Sequence, residues 1–289
     1  MSPPVLLAHL SDLHFGGYAD LAQIEALETF LPTLGAAAFA IAGDLSQRAR
    51  HGEFQAAHAF LARLRAHLPL LVVPGNHDIE WWKSPFGLMG QGVKYAKYSR
   101  YFGELTPVME VPGAIIAGAL SSYGVAFGSL TWNLRDVAVK GHLPRSETDR
   151  VTRIFAAAPP DVARVLVVHH NVLAGALSRR MGLARWRSAQ RRLLATGADV
   201  VLCGHDHQEG AGQIDGSLAV STSGTHSSRV RHGRPSVFNL VKIEEGAVHI
   251  QHFRWEVSSR RFLRSDTYSF ARTARPQVAV SVAGGDQGP

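Results

Sequence analysis

Leu71–Asp78 reads LVVPGNHD: an apolar run ends in Pro74-Gly75, and an amide, an imidazole and a carboxylate follow at consecutive positions. The apolar run is typical of a short buried strand, and the Pro-Gly pair marks its end. In α/β proteins, ligand-binding residues lie in loops just beyond the carboxyl ends of parallel strands, where side chains from several strands meet. The segment therefore predicts a strand that delivers polar side chains to a shared crevice.

Four further apolar runs end in the same way, each in Asp or His. These are Leu6–Leu10 before Ser11–His14, Ala38–Ala42 before Gly43-Asp44, Val165–Val168 before His169-His170, and Val200–Cys203 before Gly204–His207. Between the first three runs of the chain, Leu21–Leu34 and Glu53–Leu68 carry apolar residues at helical spacing. Alternating strands and helices indicate an α/β fold in which crossover helices join parallel strands.

The composition is that of a globular protein. Of the 289 residues, 46% are hydrophobic and 18% are charged, which argues against global disorder. No apolar run reaches the roughly 18 residues that a spanning helix needs. The first residues lack a basic region followed by a long apolar segment, so we expect no secretory signal and a cytoplasmic location. Cys203 is the sole cysteine, which excludes an internal disulfide framework and a thiolate-rich metal site.

Positive charge is concentrated in one segment. The formal net charge is +7, and Asn171–Gly197 contains no acidic residue. Its arginines are Arg179, Arg180, Arg185, Arg187, Arg191 and Arg192. Such an excess favours anionic partners, namely nucleotides, nucleic acid or lipid head groups. Three interpretations of the segment stay open: a solvated face, a rim that binds an anionic substrate, or a contact with a membrane surface.

The rest of the sequence predicts a single domain, residues 1–271, followed by a disordered tail, residues 272–289. Aromatic residues are frequent at about residues 79–112, which we interpret as an insertion at the mouth of the site with a short helix at Val93–Phe102. Val108–Val111 and Ala114–Leu120 predict a hairpin. Four short apolar runs between Gly212 and Trp255 predict strands that complete a second sheet.

The polar residues at the strand ends have the chemistry of metal ligands. They are Asp12, His14, Asp44, Asn76, His169, His205 and His207. Carboxylate, imidazole and amide oxygen suit divalent manganese, iron or zinc. Asp-x-His and His-x-His place two donors on the same side of an extended segment, so each pair is expected to hold one ion. Seven ligands fit two ions that share a carboxylate, and such a pair hydrolyses phosphate esters.

The candidate ligands lie in five short sequence blocks, which are Asp12-Leu13-His14, Gly43-Asp44, Gly75-Asn76-His77-Asp78, His169-His170 and Gly204-His205-Asp206-His207. In this order the blocks resemble the signature of the calcineurin-like metallophosphoesterases. They resemble most closely the class that includes bacterial cyclic-nucleotide and glycerophosphodiester phosphodiesterases. The resemblance covers roughly residues 5 to 255. It implies a four-layer α-β-β-α sandwich with two central mixed β-sheets and a dinuclear metal centre.

Carried over by position, the resemblance implies a role for each residue. Asp12, His14, Asp44 and His207 would hold the first ion, and Asp44, Asn76, His169 and His205 the second, with Asp44 bridging. Hydroxide generated at the ions would attack phosphorus. By the same resemblance His77 would assist departure of the leaving group, with Asp78 as its orienting partner.

Five other residues near these blocks have less specific roles. His226 follows a strand and is a candidate for substrate contact, as are Trp81 and Arg185. Trp81 equally suits plain packing. We expect His170 and Asp206 to point away from the ions and to serve the structure.

Small phosphodiesters, including cyclic nucleotides, are the first substrate class that these observations predict. The alternatives are a DNA or RNA nuclease and a hydrolase of a lipid-linked nucleotide or phospholipid, the latter suggested by Met181, Leu183 and Trp186 among the arginines. A catalytically inactive metal-binding scaffold is the non-enzymatic alternative. The presence of every ligand and of His77 argues against the scaffold. The oligomeric state stays open.

Overall fold

The apolar runs of the sequence form the central strands of the computed structural model, which describes residues 3–90, 92–130, 136, 139–228 and 233–272. The strands are β1 (Val5–Leu10), β2 (Ala38–Ile41), β3 (Leu70–Val72), β4 (Val108–Val111), β5 (Ala114–Gly118), β6 (Ala163–His170), β7 (Val200–Gly204), β8 (Gly210–Ile214), β9 (Leu218–Thr222), β10 (Val237–Ile243), β11 (Ala247–Glu256) and β12 (Arg261–Ala271). The helices are α1 (Leu21–Phe30), α2 (His51–Arg65), α3 (Ala96–Phe102), α4 (Arg145–Ala157) and α5 (Trp186–Ala195).

The strands form two six-stranded mixed sheets. The first sheet has the order β12-β11-β10-β1-β2-β3, and the second has the order β4-β5-β6-β7-β9-β8. In the first sheet β1, β2 and β3 are parallel, and in the second β5, β6 and β7 are parallel. The predicted parallel strands are thus confirmed, and the carboxyl ends of each parallel set lie at one edge of its sheet.

Three apolar clusters show that the chain forms four layers. Between the two sheets lie side chains such as Leu7, Ala40 and Val167. The opposite face of the first sheet packs against α1, α2 and α3, and the opposite face of the second sheet packs against α4 and α5. The central strands are buried on both faces, which explains why they read as continuous apolar runs. The predicted α-β-β-α sandwich is confirmed.

The helices and the hairpin lie where the sequence predicts them. The Leu21–Leu34 stripe forms α1 and a 3₁₀ turn at Leu31–Leu34, while β4 and β5 pair as an antiparallel hairpin. Asp20 caps α1 by accepting the backbone N–H groups of residues 22 and 23 at 3.1 and 3.3 Å. Such a cap satisfies amides that the first helical turn leaves without partners.

The carboxyl-terminal strands differ from the prediction. Only β8 and β9 complete the second sheet, whereas β10 and β11 join the first sheet beside β1. The sequence reading also missed β12, which pairs with β11 and is polar on its outer face. Short runs of this kind show that strands exist, but their partners are set by packing between distant parts of the chain.

The described chain ends at Arg272, the first residue of the predicted tail. Arg272 is held in place, since its guanidinium contacts the Asp199 carboxylate at 3.0 Å. Residues 273–289 lie outside the described residues. Within the part of the chain that the structure describes, no helix is both long and apolar enough to cross a bilayer.

A buried polar chain links the two sheets near the strand ends. The Nδ1 atom of His9 lies 2.9 Å from the hydroxyl of Ser221, to which the Asn239 amide donates at 2.8 Å. The Nδ1 atom of His252 in turn lies 2.7 Å from the Asn239 Oδ1 atom. Burial lowers the pKa of His9 to about 3 and that of His252 to about 4. Both imidazoles are therefore neutral in the folded protein at mild acidity.

Because these histidines are protonated below about pH 6.5 in the unfolded chain but not in the folded one, stability should fall as pH decreases from about 6.5 to about 4. Each contributes up to about 1.4 kcal/mol per pH unit. Urea unfolding of His252→Gln, with a chelator present, should show a shallower pH dependence than the original chain. The exposed His67→Gln should not. Equal pH slopes for the two variants would contradict this account.

Candidate metal centre

The seven expected ligands come together at the carboxyl ends of β1, β2, β3, β6 and β7, between the two sheets. Their ligand atoms form two neighbouring clusters. The first contains Asp12, His14 and His207, the second contains Asn76, His169 and His205, and Asp44 lies between them. Asp12, His14, Asp44 and His169 are buried, and Asn76, His205 and His207 are half-buried.

In the first cluster, two imidazole nitrogens and a carboxylate oxygen converge. The Nε2 atoms of His14 and His207 are 2.9 Å apart. The Oδ1 atom of Asp12 lies 3.3 Å from the His207 Nε2 atom and 3.7 Å from the His14 Nε2 atom. Atoms that each lie about 2.1 Å from one ion are separated by about 3 Å or slightly more. These separations match three ligands of one cation.

The second cluster has the same character. The Asn76 Oδ1 atom lies 3.1 Å from the His169 Nε2 atom and 3.0 Å from the His205 Nδ1 atom. The two imidazole nitrogens are 3.3 Å apart. The Nδ1 atom of His169 lies 2.7 Å from the carbonyl oxygen of Ala42, to which it must donate, because a carbonyl only accepts. In the neutral ring the Nε2 lone pair is then available to an ion.

Asp44 joins the two clusters through one oxygen. Its Oδ2 atom lies 3.8 Å from the His14 Nε2 atom and 3.4 Å from the His169 Nε2 atom, one imidazole from each cluster. Its Oδ1 atom accepts the backbone N–H of His77 at 2.9 Å. One carboxylate oxygen is thus fixed by the backbone, and the other faces both groups of imidazoles.

The two buried carboxylates give the clearest test of whether metal ions fit here. The Oδ2 atom of Asp12 accepts the backbone N–H of His205 at 2.9 Å, as Asp44 accepts that of His77. The other oxygens, Asp12 Oδ1 and Asp44 Oδ2, have no hydrogen-bond partner among the described residues. A buried carboxylate oxygen without a donor is strongly unfavourable unless a cation neutralises it. The donor set therefore fits two divalent cations.

Most of the pKa values agree with this assignment. Burial raises the pKa of Asp12, but the neighbouring imidazoles of His14 and His207 outweigh it and hold that pKa well below its usual range. Burial lowers the pKa of His205 to about 3, which keeps its imidazole neutral and able to bind a metal. For His169, burial is outweighed by the Asp44 carboxylate, which raises the pKa to about 9, so a metal ion would have to displace a proton from this imidazole. The clusters thus combine ionised carboxylates with imidazoles that a cation would face.

The local backbone corrects one step of the sequence argument. The ligands lie beyond the strand ends, and five of them have left-handed φ values, between +48° and +75°: Asp12, His14, Asp44, His205 and His207. Alternation along an extended strand therefore does not explain their arrangement. The prediction that His-x-His holds one ion is wrong, since His205 faces the second cluster and His207 the first. Such conformations are unfavourable for non-glycine residues and persist only where packing enforces them.

Two glycines, Gly75 and Gly204, allow the loops that carry Asn76 and His205 to pack closely against the carboxylates of Asp44 and Asp12. A Cβ atom on Gly75 would lie 2.0 Å from the Asp44 Oδ1 atom, and one on Gly204 would lie 2.5 Å from the Asp12 Oδ2 atom. Neither position leaves room for a side chain. The glycines before Asn76 and before His205 are thus required by the packing of the carboxylates.

The structure corrects the role of Asp78. Its carboxylate accepts the backbone N–H groups of Leu45, Ser46 and Gly75 at 2.8–3.0 Å, so it fixes the turn between β3 and the metal ligands. Burial raises the pKa of Asp78 to about 6. The partner of His77 is instead the carbonyl oxygen of Gln47, 2.7 Å from its Nδ1 atom. A backbone carbonyl leaves no signal in the sequence, so residue patterns had no means of finding it.

His170 and Asp206 lie beside the clusters and have structural partners. The Nε2 atom of His170 donates to the carbonyl of Val139 at 3.0 Å, and its Nδ1 atom lies 2.8 Å from the Ser121 hydroxyl. Both nitrogens are thus engaged, although the ring centroid is 4.5 Å from that of His205. Asp206 accepts the hydroxyl of Ser178 at 2.6 Å and thereby ties the loop after β6 to the loop that carries His205 and His207.

The three candidate substrate contacts have different surroundings. His226 is fully buried, with its ring 5.8 Å from that of Phe262, so the structure does not support direct substrate contact. Trp81 is half-buried and packs against a small apolar cluster that includes Ile79. Arg185 is exposed and precedes α5 with a left-handed φ of +50°. Of the three, Trp81 and Arg185 keep a surface that a ligand can reach.

The chain matches the model of a known protein family. The family model described as calcineurin-like phosphoesterase matches residues 5–209, a range that includes all seven candidate ligands. A search of curated proteins returns no match.

Solved structures share the fold at low sequence identity. A purple acid phosphatase from yellow lupin (Lupinus luteus) seeds aligns with a TM-score of 0.65 and 10% identity, over 94% of this chain and 54% of that one. A dimetal phosphatase from Danio rerio aligns with a TM-score of 0.64 and 12% identity, over 93% and 99% of the two chains. GAP50, the anchor in the inner membrane complex of Plasmodium, gives 0.58 and 12%, over 94% and 90%. The present chain thus spans about half of the lupin enzyme.

The close approach at Gly75 predicts a selective loss of metal. In Gly75→Ala the new methyl group displaces the Asp44 carboxylate, so bound divalent metal, measured by plasma mass spectrometry after dialysis, should fall from two ions per chain to one or none. Gly246→Ala is the matched control, because its Cβ would meet no atom within 4 Å. Full metal content in a folded Gly75→Ala protein would contradict the proposed position of Asp44.

The hydrogen bonds of Asp78 predict a loss of stability. In Asp78→Asn the amide group offers a single acceptor oxygen and turns an N–H₂ group towards backbone donors. The free energy of unfolding in urea should fall by about 1–3 kcal/mol. Asp215→Asn, in an exposed turn, should unfold like the original chain. If Asp78→Asn unfolds at the same urea concentration, the turn does not depend on this carboxylate.

Proposed function

The chain belongs to the calcineurin-like phosphoesterase family, and from this we propose that it hydrolyses phosphate esters with two divalent ions held by the two clusters. The observation that carries the proposal is the pair of buried carboxylates whose second oxygens face imidazoles and have no donor among the described residues. Manganese, iron and zinc suit this set of oxygen and nitrogen ligands. We further propose small phosphodiesters, such as cyclic nucleotides, as the substrates.

The ligand residues divide between the two ions as follows. Asp12, His14 and His207 would hold one ion, and Asn76, His169 and His205 the other, with the Asp44 Oδ2 atom between them. When bound, such a pair lowers the pKa of water and neutralises the charge that develops on phosphorus. The backbone N–H groups of His77 and His205 keep the carboxylates oriented for this task.

The proposed role of His77 is to donate a proton to the leaving group. Its ring is part-buried and packs edge-on against His14, with a centroid distance of 5.0 Å. Because Nδ1 donates to the Gln47 carbonyl, Nε2 is the nitrogen that would carry the second proton of the imidazolium and give it to the departing alkoxide, which leaves the ring neutral. The Gln47 carbonyl also fixes the orientation of the His77 ring. The family resemblance implied this role for Asp78.

Two features support a diester as substrate. Two of the cationic side chains on segments that follow the ligand blocks have anionic partners: the Lys97 Nζ atom lies 2.7 Å from Glu80 and an Arg180 nitrogen lies 3.1 Å from Asp136. These pairings favour a phosphate with one negative charge over the dianion of a monoester. Trp81 follows Asp78 by three residues and offers part of its ring to a nucleobase.

The nuclease and the lipid-linked substrate remain the alternative proposals. The nuclease is favoured by the arginine segment, where the Arg187 guanidinium lies 4.3 Å from the Trp186 ring centre and both side chains reach solvent. Stacked arginine and tryptophan pairs suit single-stranded nucleic acid. The lipid-linked substrate loses part of its basis in the sequence, because Leu183 is buried in the core and Met181 and Trp186 are only half-buried. The exposed apolar side chains of Leu88 and Met89 favour it instead.

Turnover of a bis(aryl) phosphodiester with added Mn²⁺ tests the proposed chemistry. His77→Asn should lower kcat by about 10²–10⁴-fold while both ions stay bound, because only the proton donor is removed. Asp44→Ala should lose both metal and turnover. His67→Asn, an exposed substitution, is the control. Absence of turnover with every divalent ion would overturn the enzymatic proposal, and full kcat in His77→Asn would remove its role.

The same assay separates the substrate classes. The proposal predicts higher kcat/KM for cyclic nucleotides than for an aryl phosphate monoester, and no steep salt dependence. Degradation of single-stranded DNA that weakens sharply with salt would favour the nuclease. Activity that requires a lipid-linked diester would favour the third alternative.

A further inference from the structure

Large apolar side chains are exposed on segments that pack against the turn carrying Asn76. One of these segments follows the candidate ligand Asn76, and the other follows β5. The exposed side chains on the two segments form what we call the apolar patch: Trp82, Leu88, Met89, Val93, Phe127 and Leu130. Leu88 is 79% exposed, Met89 70% and Phe127 76%. Isolated apolar side chains are common on protein surfaces, but groups of them mark interaction sites.

Specific contacts hold the two segments of the patch together. The Phe86 ring packs against the Phe127 ring with a centroid distance of 4.9 Å, and the Phe86 backbone N–H donates to the carbonyl of Val125 at 2.8 Å. The buried Ser84 hydroxyl accepts the backbone N–H of Met89 at 3.2 Å. The turn that exposes Leu88 and Met89 is therefore fixed by its own hydrogen bonds.

Positive charge lies next to the patch. Gly128, between two patch residues, packs so closely on His142 that a Cβ atom would lie 2.3 Å from the ring. Arg192 donates to the carbonyl of the next residue, Leu143, at 2.6 Å. The charges of Arg192 and Arg185 also reach His142, whose pKa is lowered first by burial and then by these two arginines. The arginine-rich segment Asn171–Gly197, which contains no acidic residue, thus borders the apolar patch.

We infer that the apolar patch and the neighbouring arginines form a docking surface for an anionic lipid bilayer, with the mouth of the metal centre turned towards it. Exposed apolar side chains enter the boundary between head groups and acyl chains, while basic residues contact anionic head groups. The inference goes beyond the proposed function, because it concerns where the protein acts and holds for any phosphate ester that it cleaves.

Charge decides between a bilayer and a second copy of the chain. A symmetric dimer through the patch would cover the apolar side chains but would not by itself supply anionic partners for the bordering arginines. An anionic bilayer offers head groups to the basic border and an acyl region to the apolar side chains. The bilayer is therefore the occupant that suits the apolar and the charged residues together.

Co-sedimentation of the full chain with vesicles tests this inference without any turnover. Binding is expected to vesicles of equal parts phosphatidylglycerol and phosphatidylcholine, and to be weaker with phosphatidylcholine alone or at about 0.5 M salt. The triple variant Leu88→Ser, Met89→Ser, Phe127→Ser should bind at least about tenfold more weakly. The matched control is Leu21→Ser with Val257→Ser, which removes two exposed apolar side chains elsewhere and should bind like the original chain.

Two measurements show whether the triple variant is folded, so that weaker binding can be attributed to the lost apolar side chains. Thermal unfolding and hydrolysis of the bis(aryl) phosphodiester should be unchanged in the triple variant, which shows that it is folded. The inference is overturned if the original chain binds no vesicle, or if the triple variant binds as well as the control. It is also overturned if analytical ultracentrifugation finds a dimer that the same three substitutions dissociate. A protein that binds vesicles without hydrolytic activity would separate this inference from the proposed function.

Discussion

Two carboxylates buried between the sheets, Asp12 and Asp44, impose the constraint on which the site depends. Each gives one oxygen to a backbone N–H of another ligand loop and turns the other oxygen towards imidazoles. Burying two anions is strongly unfavourable unless cations compensate for them. The five strands that meet at this edge bring imidazoles and an amide oxygen to the same place, which is the chemistry that divalent ions require.

The surrounding structure keeps these loops in conformations that they would not adopt alone. Five ligands have left-handed backbones, and Gly75 and Gly204 contact carboxylate oxygens directly. The rigid central strands, buried on both faces, hold the loop ends in position. The bonds from Asp78 to three backbone N–H groups and from His77 to Gln47 add local support. Among the described residues, five of the eleven non-glycine residues with a left-handed backbone are candidate ligands.

Sequence patterns predicted the parallel strands, the crossover helices and the set of residues that meet, because buried strands and their polar ends leave regular signals. Strand alternation wrongly predicted one ion for both His205 and His207, because it does not apply beyond β7; only the family resemblance divided the two residues between two ions. The partner of His77 and the burial of His226 depend on distant backbone and packing, which residue types do not encode. For the same reason, β10 and β11 were assigned to the wrong sheet and β12 was missed.

The central claim is that Asp44 bridges two ions. It is tested most directly by anomalous X-ray diffraction at the manganese edge, from crystals grown with Mn²⁺. The account predicts two peaks, one bounded by Asp12, His14 and His207 and the other by Asn76, His169 and His205, with the Asp44 Oδ2 atom contacting both. A single peak, or a second peak away from Asp44, would contradict it.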